Sequence, residues 1–240
     1  MNDARVALVT GSARGLGREV AERFAQDGLR VHVVHRSPQG REALIDRFGA
    51  DRVHTADLTR PGTADRLIEA VLTVDGQLDT MVHAVGAYRL KPASATSLDD
   101  AREMIESNWL SAMSLMEAAR TSLRASQGSA VLFGCAGIES LRARSSAPAY
   151  VAAKTALLVW ARSVALEEAA HGVRINVVSP GVIPHPHASA DTLDPELQAR
   201  IPAGRPGRPE EIAGVVAWLT SPAAAHVTGQ NLDVAGGWML

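Results

Sequence analysis

Short apolar segments rich in Val, Leu and Ile alternate with longer amphipathic stretches along the 240 residues of this chain. Strands that are apolar on both faces and are separated by helices pack into a parallel sheet that is covered on both sides. The pattern therefore predicts an α/β fold, with a doubly wound, mainly parallel seven-stranded sheet and helices on both of its faces. The predicted strands are residues 4–10, 30–35, 51–56, 78–83, 129–134, 173–179 and 231–234, and the predicted helices are residues 15–27, 38–48, 61–75, 97–125, 149–170 and 209–220.

The alternation continues to the end of the chain without a Gly/Ser-rich or charged linker, which predicts a single domain over residues 1–240. One stretch departs from the pattern. Residues 183–209 contain six prolines, and proline at this density resists regular structure. We therefore expect a long loop here, which would act as a substrate lid at about residues 183–208.

The 24 Lys and Arg residues are balanced by 26 Asp and Glu, which leaves a net charge of −2. This balance argues against nucleic acid or an acidic membrane surface as a partner.

Cys135 is the only cysteine, so an intrachain disulfide and a multi-cysteine zinc site are excluded. His185 and His187 lack an evident third ligand, so we predict no metal site. Because the chain has no signal-peptide pattern and no apolar run of about 18 residues, we expect a cytoplasmic protein.

A glycine-rich segment follows the first predicted strand and opens the first predicted helix. Glycines allow a tight turn and let the backbone approach a pyrophosphate, while the helix N-terminus offers unpaired N–H groups to its negative charge. A plain tight turn is the alternative, because a glycine-rich turn after a strand also occurs without a ligand. The candidate dinucleotide-binding residues of this segment are Gly11, Ala13, Arg14, Gly15, Leu16 and Gly17.

The pattern Thr-Gly-x-x-x-Gly-x-Gly, which begins at Thr10, occurs together with Tyr-x-x-x-Lys, formed by Tyr150 and Lys154. The two motifs resemble those of the short-chain dehydrogenase/reductase family, and the resemblance extends over nearly the whole chain. It implies a Rossmann-type domain, oxidoreductase activity (EC 1.1.1.-) with a nicotinamide cofactor, and assembly as a homotetramer or homodimer. The further cofactor-binding residues that it implies are Asp57, Leu58, Ala84, Val85, Gly86, Tyr150, Lys154, Pro180, Gly181 and Ile183.

The second predicted strand ends at His35, and the residues after it bear on the choice of cofactor. NAD-binding domains of this kind usually have an acidic residue here that accepts from the ribose 2′-hydroxyl. This chain has Arg36 and Ser37 instead, and Arg36 or Arg14 could pair with a 2′-phosphate. Solvated surface arginines are the alternative. The sequence therefore predicts NADPH, and with it a reduction.

Carbonyl reduction needs an acid that protonates the developing alkoxide, and Tyr150 is the candidate. A phenol has a pKa near 10, so its environment must lower that pKa toward working pH. Lys154 is four residues further along the same helical face, where its charge favours the phenolate. The resemblance implies that Lys154 also binds the nicotinamide ribose and that Asn108 supports a proton relay through water.

The chain departs from the family's pattern at two places. Family members usually have a serine about 13 residues before the tyrosine, whereas Cys135 occupies the matching strand end, 15 residues before Tyr150. A thiol is a weaker hydrogen-bond donor than a hydroxyl, and a small buried apolar role is the alternative for this cysteine. Where the family has Asn-Asn-Ala-Gly, this chain has His83-Ala84-Val85-Gly86, and we expect His83 to be a hydrogen-bonded core histidine.

Three functional hypotheses follow. The first is an NADPH-dependent carbonyl reductase of a small-molecule ketone or acyl thioester, similar to 3-oxoacyl-acyl-carrier-protein reductases. In this reading Tyr150 is the acid and the ketone binds near Cys135. The second is a pteridine reductase, because bacterial enzymes of that kind resemble this chain in His-Arg-Ser and in a non-serine residue at the serine position. The third is a non-catalytic NADPH-binding sensor, which the changes at Cys135 and Ala84 motivate.

Overall fold

Seven parallel strands form one sheet in a computed structural model of the chain, which describes residues 4–37, 39–184 and 195–239 apart from the side chain of Leu197. The strands are β1 (Val6–Thr10), β2 (Arg30–His35), β3 (Val53–Thr55), β4 (Thr80–His83), β5 (Ser129–Phe133), β6 (Arg174–Pro180) and β7 (Asn231–Val234). Their order in the sheet is β3-β2-β1-β4-β5-β6-β7. The predicted fold class is confirmed, and the strand bounds agree with the sequence prediction to within two residues at each end.

Eight α-helices are present in the described part of the chain, and six of them contribute residues to the apolar clusters on the two faces of the sheet. Alternate residues of a strand point to opposite faces, and β1 shows this directly. Val6 and Leu8 belong to one apolar cluster, whereas Ala7 and Val9 belong to the other. The helices are α1 (Gly15–Gln26), α2 (Arg41–Phe48), α3 (Thr63–Asp75), α4 (Leu98–Ile105), α5 (Ser111–Ser126), α6 (Pro148–Glu168), α7 (Pro195–Ala199) and α8 (Pro209–Thr220).

The prediction of one continuous helix over residues 97–125 is wrong, because the helix is interrupted. A π-helical turn over Glu106–Leu110 separates α4 from α5. Two serine side chains compete with the backbone there, because Ser107 Oγ donates to Glu103 O at 2.6 Å and Ser111 Oγ donates to Ser107 O at 2.7 Å. Apolar periodicity cannot reveal one extra residue in a turn, and π-turns occur frequently at functional sites.

The proline-rich stretch after β6 also differs from the sequence prediction. We expected a loop without regular structure over residues 183–209, but α7 occupies residues 195–199. Pro195 is the first residue of this helix, a position where proline is tolerated because its missing N–H would have had no intrahelical partner. His185 and His187 lie outside the described residues.

One helical stretch, Pro148–His171, is long and apolar enough to cross a membrane by length and composition alone. Core helices of globular proteins pass the same test. This stretch contains α6, and Leu157, Ala161 and Val164 of α6 are buried in the core cluster that it shares with α3 and α5. Its apolar composition is therefore accounted for in part by packing within the fold.

Candidate active site

The glycine-rich turn after β1 lies directly on the carboxyl ends of the central strands. Gly11 has φ +70°, and a Cβ atom on it would lie 2.5 Å from Ala84 O. A Cβ atom on Gly17, in α1, would lie 2.5 Å from Gly11 O. Both positions therefore require glycine, because any side chain would overlap backbone atoms. The turn and the start of α1 are packed as closely as a dinucleotide cradle requires.

Ser12 fastens this turn to β2, a role that sequence reasoning missed. Its hydroxyl donates to Val9 O at 2.9 Å and accepts from Val34 N at 2.8 Å, and the side chain is fully buried. Arg14 is extended and gives α1 no side-chain cap, so the first N–H groups of the helix remain available to an anion. Ala13 and Arg14 are exposed, whereas Gly15 and Leu16 are half-buried at the start of α1.

The residues that follow β2 and β3 meet at one end of this turn. Arg36 and Ser37 are exposed, and the ring of His35 holds Ser37 through a 2.5 Å contact between Nδ1 and the carbonyl oxygen. A hydrogen bond from Thr59 holds the pKa of Asp57 below its ordinary value, and the charge of Arg36 contributes to this lowering. The charge of Arg36 thus reaches the Asp57 carboxylate. Leu58 beside it is buried at 6% exposure.

Gly86, beyond β4, lies between two functional candidates. A Cβ atom on it would overlap Asn108 Oδ1 and would lie 3.4 Å from Lys154 Nζ. Asn108, in the π-turn, is fully buried and donates from Nδ2 to Ala87 O at 2.9 Å. Its Oδ1 has no hydrogen-bond partner in the described structure. A buried acceptor of this kind is suited to a ligand or a water molecule. Ala84 and Val85 lie just before Gly86 and are half-buried.

Lys154 is 4% exposed and its Nζ donates to Phe133 O at 2.6 Å, which ties α6 to the end of β5. Burial lowers the pKa of Lys154 to about 8. The Nζ atom lies 5.8 Å from the centre of the Tyr150 ring. The spacing of four residues therefore brings the two side chains to one side of α6, as the sequence predicted.

The pKa of Tyr150 differs from the sequence expectation. It is raised, not lowered, because burial of the phenol is the largest effect, with smaller contributions from Cys135 and Tyr88. Lys154 directs its amine to Phe133 O and so does not offset this burial. The phenol is consequently protonated at neutral pH, which is the state that a proton donor needs.

Cys135 lies two residues beyond the end of β5 and is half-buried. Burial raises the pKa of its thiol to about 11, while the charges of Lys154 and Arg144 partly oppose this effect. Ser140, five residues further along the loop, donates to Gly137 O at 2.9 Å. Ser145 and Ser146 are exposed in the same loop.

Tyr88 and His83 lie next to these candidate catalytic residues. Tyr88 contacts Tyr150 edge-to-face, with ring centres 5.0 Å apart, and is 53% exposed. The expectation for His83 is confirmed, because its Nδ1 lies 3.0 Å from Thr10 Oγ1 and its Nε2 lies 3.1 Å from Ser111 Oγ. Burial lowers the pKa of His83 to about 3, so the ring is neutral at physiological pH.

The end of β6 continues the same edge of the sheet. Pro180 is its last residue, Gly181 donates to Val234 O at 3.1 Å, and Ile183 is 6% exposed. The C-terminal residues contact other parts of their own chain. Gly236 O accepts from Ala203 N at 2.9 Å, and Met239 lies beside Gly137. Among the described ranges, no three potential metal ligands come together.

The residues along this edge fit a nicotinamide dinucleotide. The glycine turn has no space for side chains at Gly11 and Gly17, and no side chain caps the N-terminus of α1. The Asn108 Oδ1 atom, which has no hydrogen-bond partner among the described residues, lies next to Gly86. The carboxyl edge of a doubly wound sheet is the place where such folds bind their ligands. These observations together point to a cofactor along the edge, with Tyr150 and Cys135 beside it.

Comparisons with known proteins agree with this picture. The family model described as "Enoyl-(Acyl carrier protein) reductase" matches residues 11–239. The 3-oxoacyl-[acyl-carrier-protein] reductase FabG of Escherichia coli is 32% identical over 239 residues, which cover 98% of this chain and 97% of that protein. The D-threitol dehydrogenase of Mycolicibacterium smegmatis is 32% identical over 245 residues, with coverage of 99% and 94%.

A solved structure shares the fold over almost its whole length. It is a blue fluorescent protein from a metagenomic library in complex with NADPH, and it aligns with a TM-score of 0.89 at 29% sequence identity. The alignment covers 98% of this chain and 98% of that chain.

Proposed function

Because this chain belongs to the short-chain dehydrogenase/reductase family and is thus an NAD(P)-dependent oxidoreductase, we propose that it uses NADPH to reduce the carbonyl group of a small ketone or 3-oxoacyl thioester. One observation carries the proposal. Tyr150 and Lys154 on α6 and Asn108 in the π-turn after α4 converge around Gly86 and Cys135, at the edge of the sheet that carries the glycine turn.

The preference for NADPH is supported by the charges at the end of β2. No carboxylate directly follows His35 in the sequence, and the positive charge of the exposed Arg36 acts on the Asp57 carboxylate. A 2′-phosphate would offer a dianion to Arg36 and Arg14, which is a stronger partner than a ribose hydroxyl. The solved structure noted above contains NADPH, which agrees with this choice.

The glycine turn and the N-terminus of α1 would hold the pyrophosphate, and Lys154 and Asn108 would border the nicotinamide end. When bound, the reduced nicotinamide supplies the hydride. Tyr150 holds a proton at its phenolic oxygen, since burial keeps the phenol protonated at neutral pH, and donates it to the developing alkoxide. Lys154, with a pKa of about 8, is mostly protonated at pH 7, and its charge would stabilise the phenolate that this transfer leaves once its amine turns from Phe133 O toward Tyr150.

Asn108 and Cys135 have supporting roles in the proposal. Asn108 Nδ2 is held by Ala87 O, so Oδ1 is free to accept from a water that returns a proton from solvent. Cys135, with a thiol pKa of about 11, is protonated at neutral pH and offers the substrate oxygen a weak S–H donor. Substrate polarisation by Cys135 is therefore expected to be weaker than by a serine hydroxyl.

We propose in addition that residues 1–240 form one cytoplasmic domain with a lid at 183–208, and that the chain assembles as a homotetramer or homodimer. The assembly is supported by apolar side chains on the outer face of neighbouring helices. Val159 and Leu166 on α6 are 63% and 82% exposed, and Leu110, the last residue of the π-turn before α5, is 44% exposed. Patches of this kind mark contact surfaces between proteins. Light scattering of the purified chain gives the number of subunits directly.

The proposal is tested by titrating the purified chain with NADPH and NADH while following reduced-nicotinamide fluorescence, and then adding ketones, 3-oxoacyl thioesters and dihydropterins. We expect tighter binding of NADPH and its oxidation by a ketone or a 3-oxoacyl thioester. Oxidation by dihydropterins alone would indicate a pteridine reductase. Tight binding without oxidation by any compound would indicate a sensor, and no binding of either cofactor would overturn the proposal.

A further inference from the structure

The loop between β5 and α6, residues 134–147, carries Cys135 at its start and contains an arginine with an unusual environment. Arg144 Nη2 donates to Gly137 O at 2.8 Å, and Nη1 lies 3.7 Å from Met239 Sδ. Its Nε–H is buried and has no hydrogen-bond partner among the described residues. A buried donor on a charged group is costly to leave unpaired. A ligand that accepts a hydrogen bond from this Nε–H would remove that cost.

Arg144 also lacks a counter-ion in the described part of the chain. Two arginines of other loops, by contrast, are paired with acids: Arg89 with Glu103 at 2.9 Å, and Arg205 with Glu211 at 2.7 Å. No such pair exists for Arg144 in the described ranges. Because no described acid pairs with this guanidinium, its charge can attract an external anion.

The acid Asp233 also contacts this loop. The charge of Asp233, like that of Arg144, reaches the Cys135 thiol. Its carboxylate is occupied elsewhere, because Oδ2 accepts from Gly137 N at 2.9 Å and Oδ1 accepts from Asn231 Nδ2 at 3.2 Å. Asp233 thus fixes the loop backbone at Gly137, and it forms no ion pair with Arg144 within 4 Å.

Arg144 is held close to Cys135, which is part of the candidate reaction centre. Its partner Gly137 is two residues from Cys135, and the backbone between them is fixed by a 3.1 Å hydrogen bond from Ala136 N to Pro180 O. The guanidinium charge lowers the pKa of the Cys135 thiol, against the larger effect of burial. The side chain therefore acts on the same space in which the substrate carbonyl is proposed to bind.

We propose that Arg144 binds a carboxylate of the substrate, so that the preferred substrates are oxo acids whose carboxylate lies close to the reacting ketone. The inference rests on the proposed function, because it takes the space beside Cys135 and Tyr150 as the ketone site. A guanidinium with an unpaired Nε–H and no ion pair among the described residues binds a planar carboxylate strongly. Such a contact supplies the substrate orientation that the weak thiol donor of Cys135 does not.

The test compares pyruvate, acetoacetate and levulinate with their methyl esters as substrates, since the three acids place the carboxylate at increasing distances from the ketone. The variants are Arg144→Gln, Arg144→Lys and, as a matched control, Arg142→Gln. Arg142 is exposed in the same loop and also contacts Met239, through a 3.2 Å hydrogen bond to its carbonyl oxygen. If a loosened C-terminal contact were the cause of the change in Arg144→Gln, Arg142→Gln would show the same change.

We expect Arg144→Gln to raise KM for at least one oxo acid by roughly tenfold or more and to leave KM for its methyl ester unchanged within about a factor of two. Arg144→Lys should restore part of the affinity, and Arg142→Gln should behave as the wild type. Equal losses for acid and ester in Arg144→Gln would show a structural role and overturn the inference. An unchanged preference for acids over esters would also overturn it.

A binding measurement separates this inference from the proposed function. Butyrate cannot be reduced, and its binding to the NADPH-loaded protein can be followed by the change in nicotinamide fluorescence. If the wild type reduces no ketone, the proposed function fails, but weaker butyrate binding in Arg144→Gln than in Arg142→Gln would still support a carboxylate site at Arg144. Equal binding by the two variants would overturn that site.

Discussion

Gly86 and Asn108 fit each other so closely that a Cβ atom on Gly86 would lie 3.0 Å from Asn108 Cγ and would overlap its Oδ1. The same Cβ atom would lie 3.4 Å from Lys154 Nζ. Gly86 follows β4, whereas Asn108 lies in the π-turn between α4 and α5. The absence of a side chain at Gly86 therefore keeps open the space that both candidate catalytic groups share.

Gly86→Ala should abolish cofactor-dependent activity, because the added methyl group must displace the buried Asn108 side chain. We expect at least a tenfold loss of NADPH affinity, measured by fluorescence titration. Gly40→Ala is the control, since a Cβ atom on Gly40 meets no atom within 4 Å. Its φ of +77° imposes some strain, so its thermal stability must be recorded alongside. Unchanged NADPH binding in Gly86→Ala would contradict the assignment of this space to the cofactor.

Tyr150→Phe should lower kcat by about 100- to 10,000-fold, because the variant loses the proton donor and keeps the ring. NADPH affinity should change little. Tyr88→Phe is a matched control, as Tyr88 is the second of only two tyrosines and its ring packs on that of Tyr150. Steady-state kinetics with the best ketone of the panel measures both variants. Retention of most turnover in Tyr150→Phe would exclude the phenol as the acid.

Arg36→Ser should weaken NADPH binding by about 10- to 100-fold and leave NADH binding unchanged, because only NADPH carries the 2′-phosphate. Arg23→Ser, which removes an exposed arginine paired with Asp27 near the other end of α1, provides the control. Fluorescence titrations with both cofactors give the four dissociation constants. A parallel loss of NADH affinity would indicate that Arg36 binds another part of the dinucleotide.

Cys135 should react slowly with iodoacetamide, because burial raises the pKa of its thiol to about 11 and only the thiolate is the nucleophile. At pH 8 the thiolate fraction is then roughly two orders of magnitude below that of an ordinary cysteine. Since the chain has no other cysteine, the mass increase measured over time reports on Cys135 alone. Labelling at the rate of free cysteine at pH 8 would show that the thiol is exposed and ionised.

The free energy of unfolding should decrease as the pH falls from 7 to 5. Burial lowers the pKa of His83 to about 3 and that of His54 to about 4, and it also lowers the pKa of His32. Below pH 6.5 the unfolded chain binds protons that the native histidines do not, so stability is lost as the pH falls toward the native pKa values. His83 alone accounts for about 2 kcal/mol at pH 5.

Urea denaturation at pH 7 and pH 5 measures this effect. The His83→Asn variant should show a smaller decrease in the free energy of unfolding than the wild type. His226→Asn, at an exposed position, should show the wild-type decrease. An equal pH dependence in wild type and His83→Asn would contradict a neutral, buried His83.

The sequence by itself determined the strands, most of the helices and the positions of the main motifs. These features depend on residues close in sequence: the apolar period of a strand or helix, the glycines next to the first strand, and the spacing of four that brings Tyr150 and Lys154 to one side of α6. For this reason the seven strands, the sheet class and the family are all confirmed. The break at Glu106–Leu110 was missed because it changes the helix by one residue in a turn.

Only the tertiary structure decided how the candidate groups behave. The raised pKa of Tyr150 and the lowered pKa of Lys154 come from burial by neighbours distant in sequence, which no local pattern records. The fit of Gly86 to Asn108 joins segments that lie 22 residues apart, and the unpaired Nε–H of Arg144 depends on contacts with Gly137 and Met239. Desolvation and hydrogen-bond satisfaction are properties of packed neighbours, so they become definite only when the chain has folded.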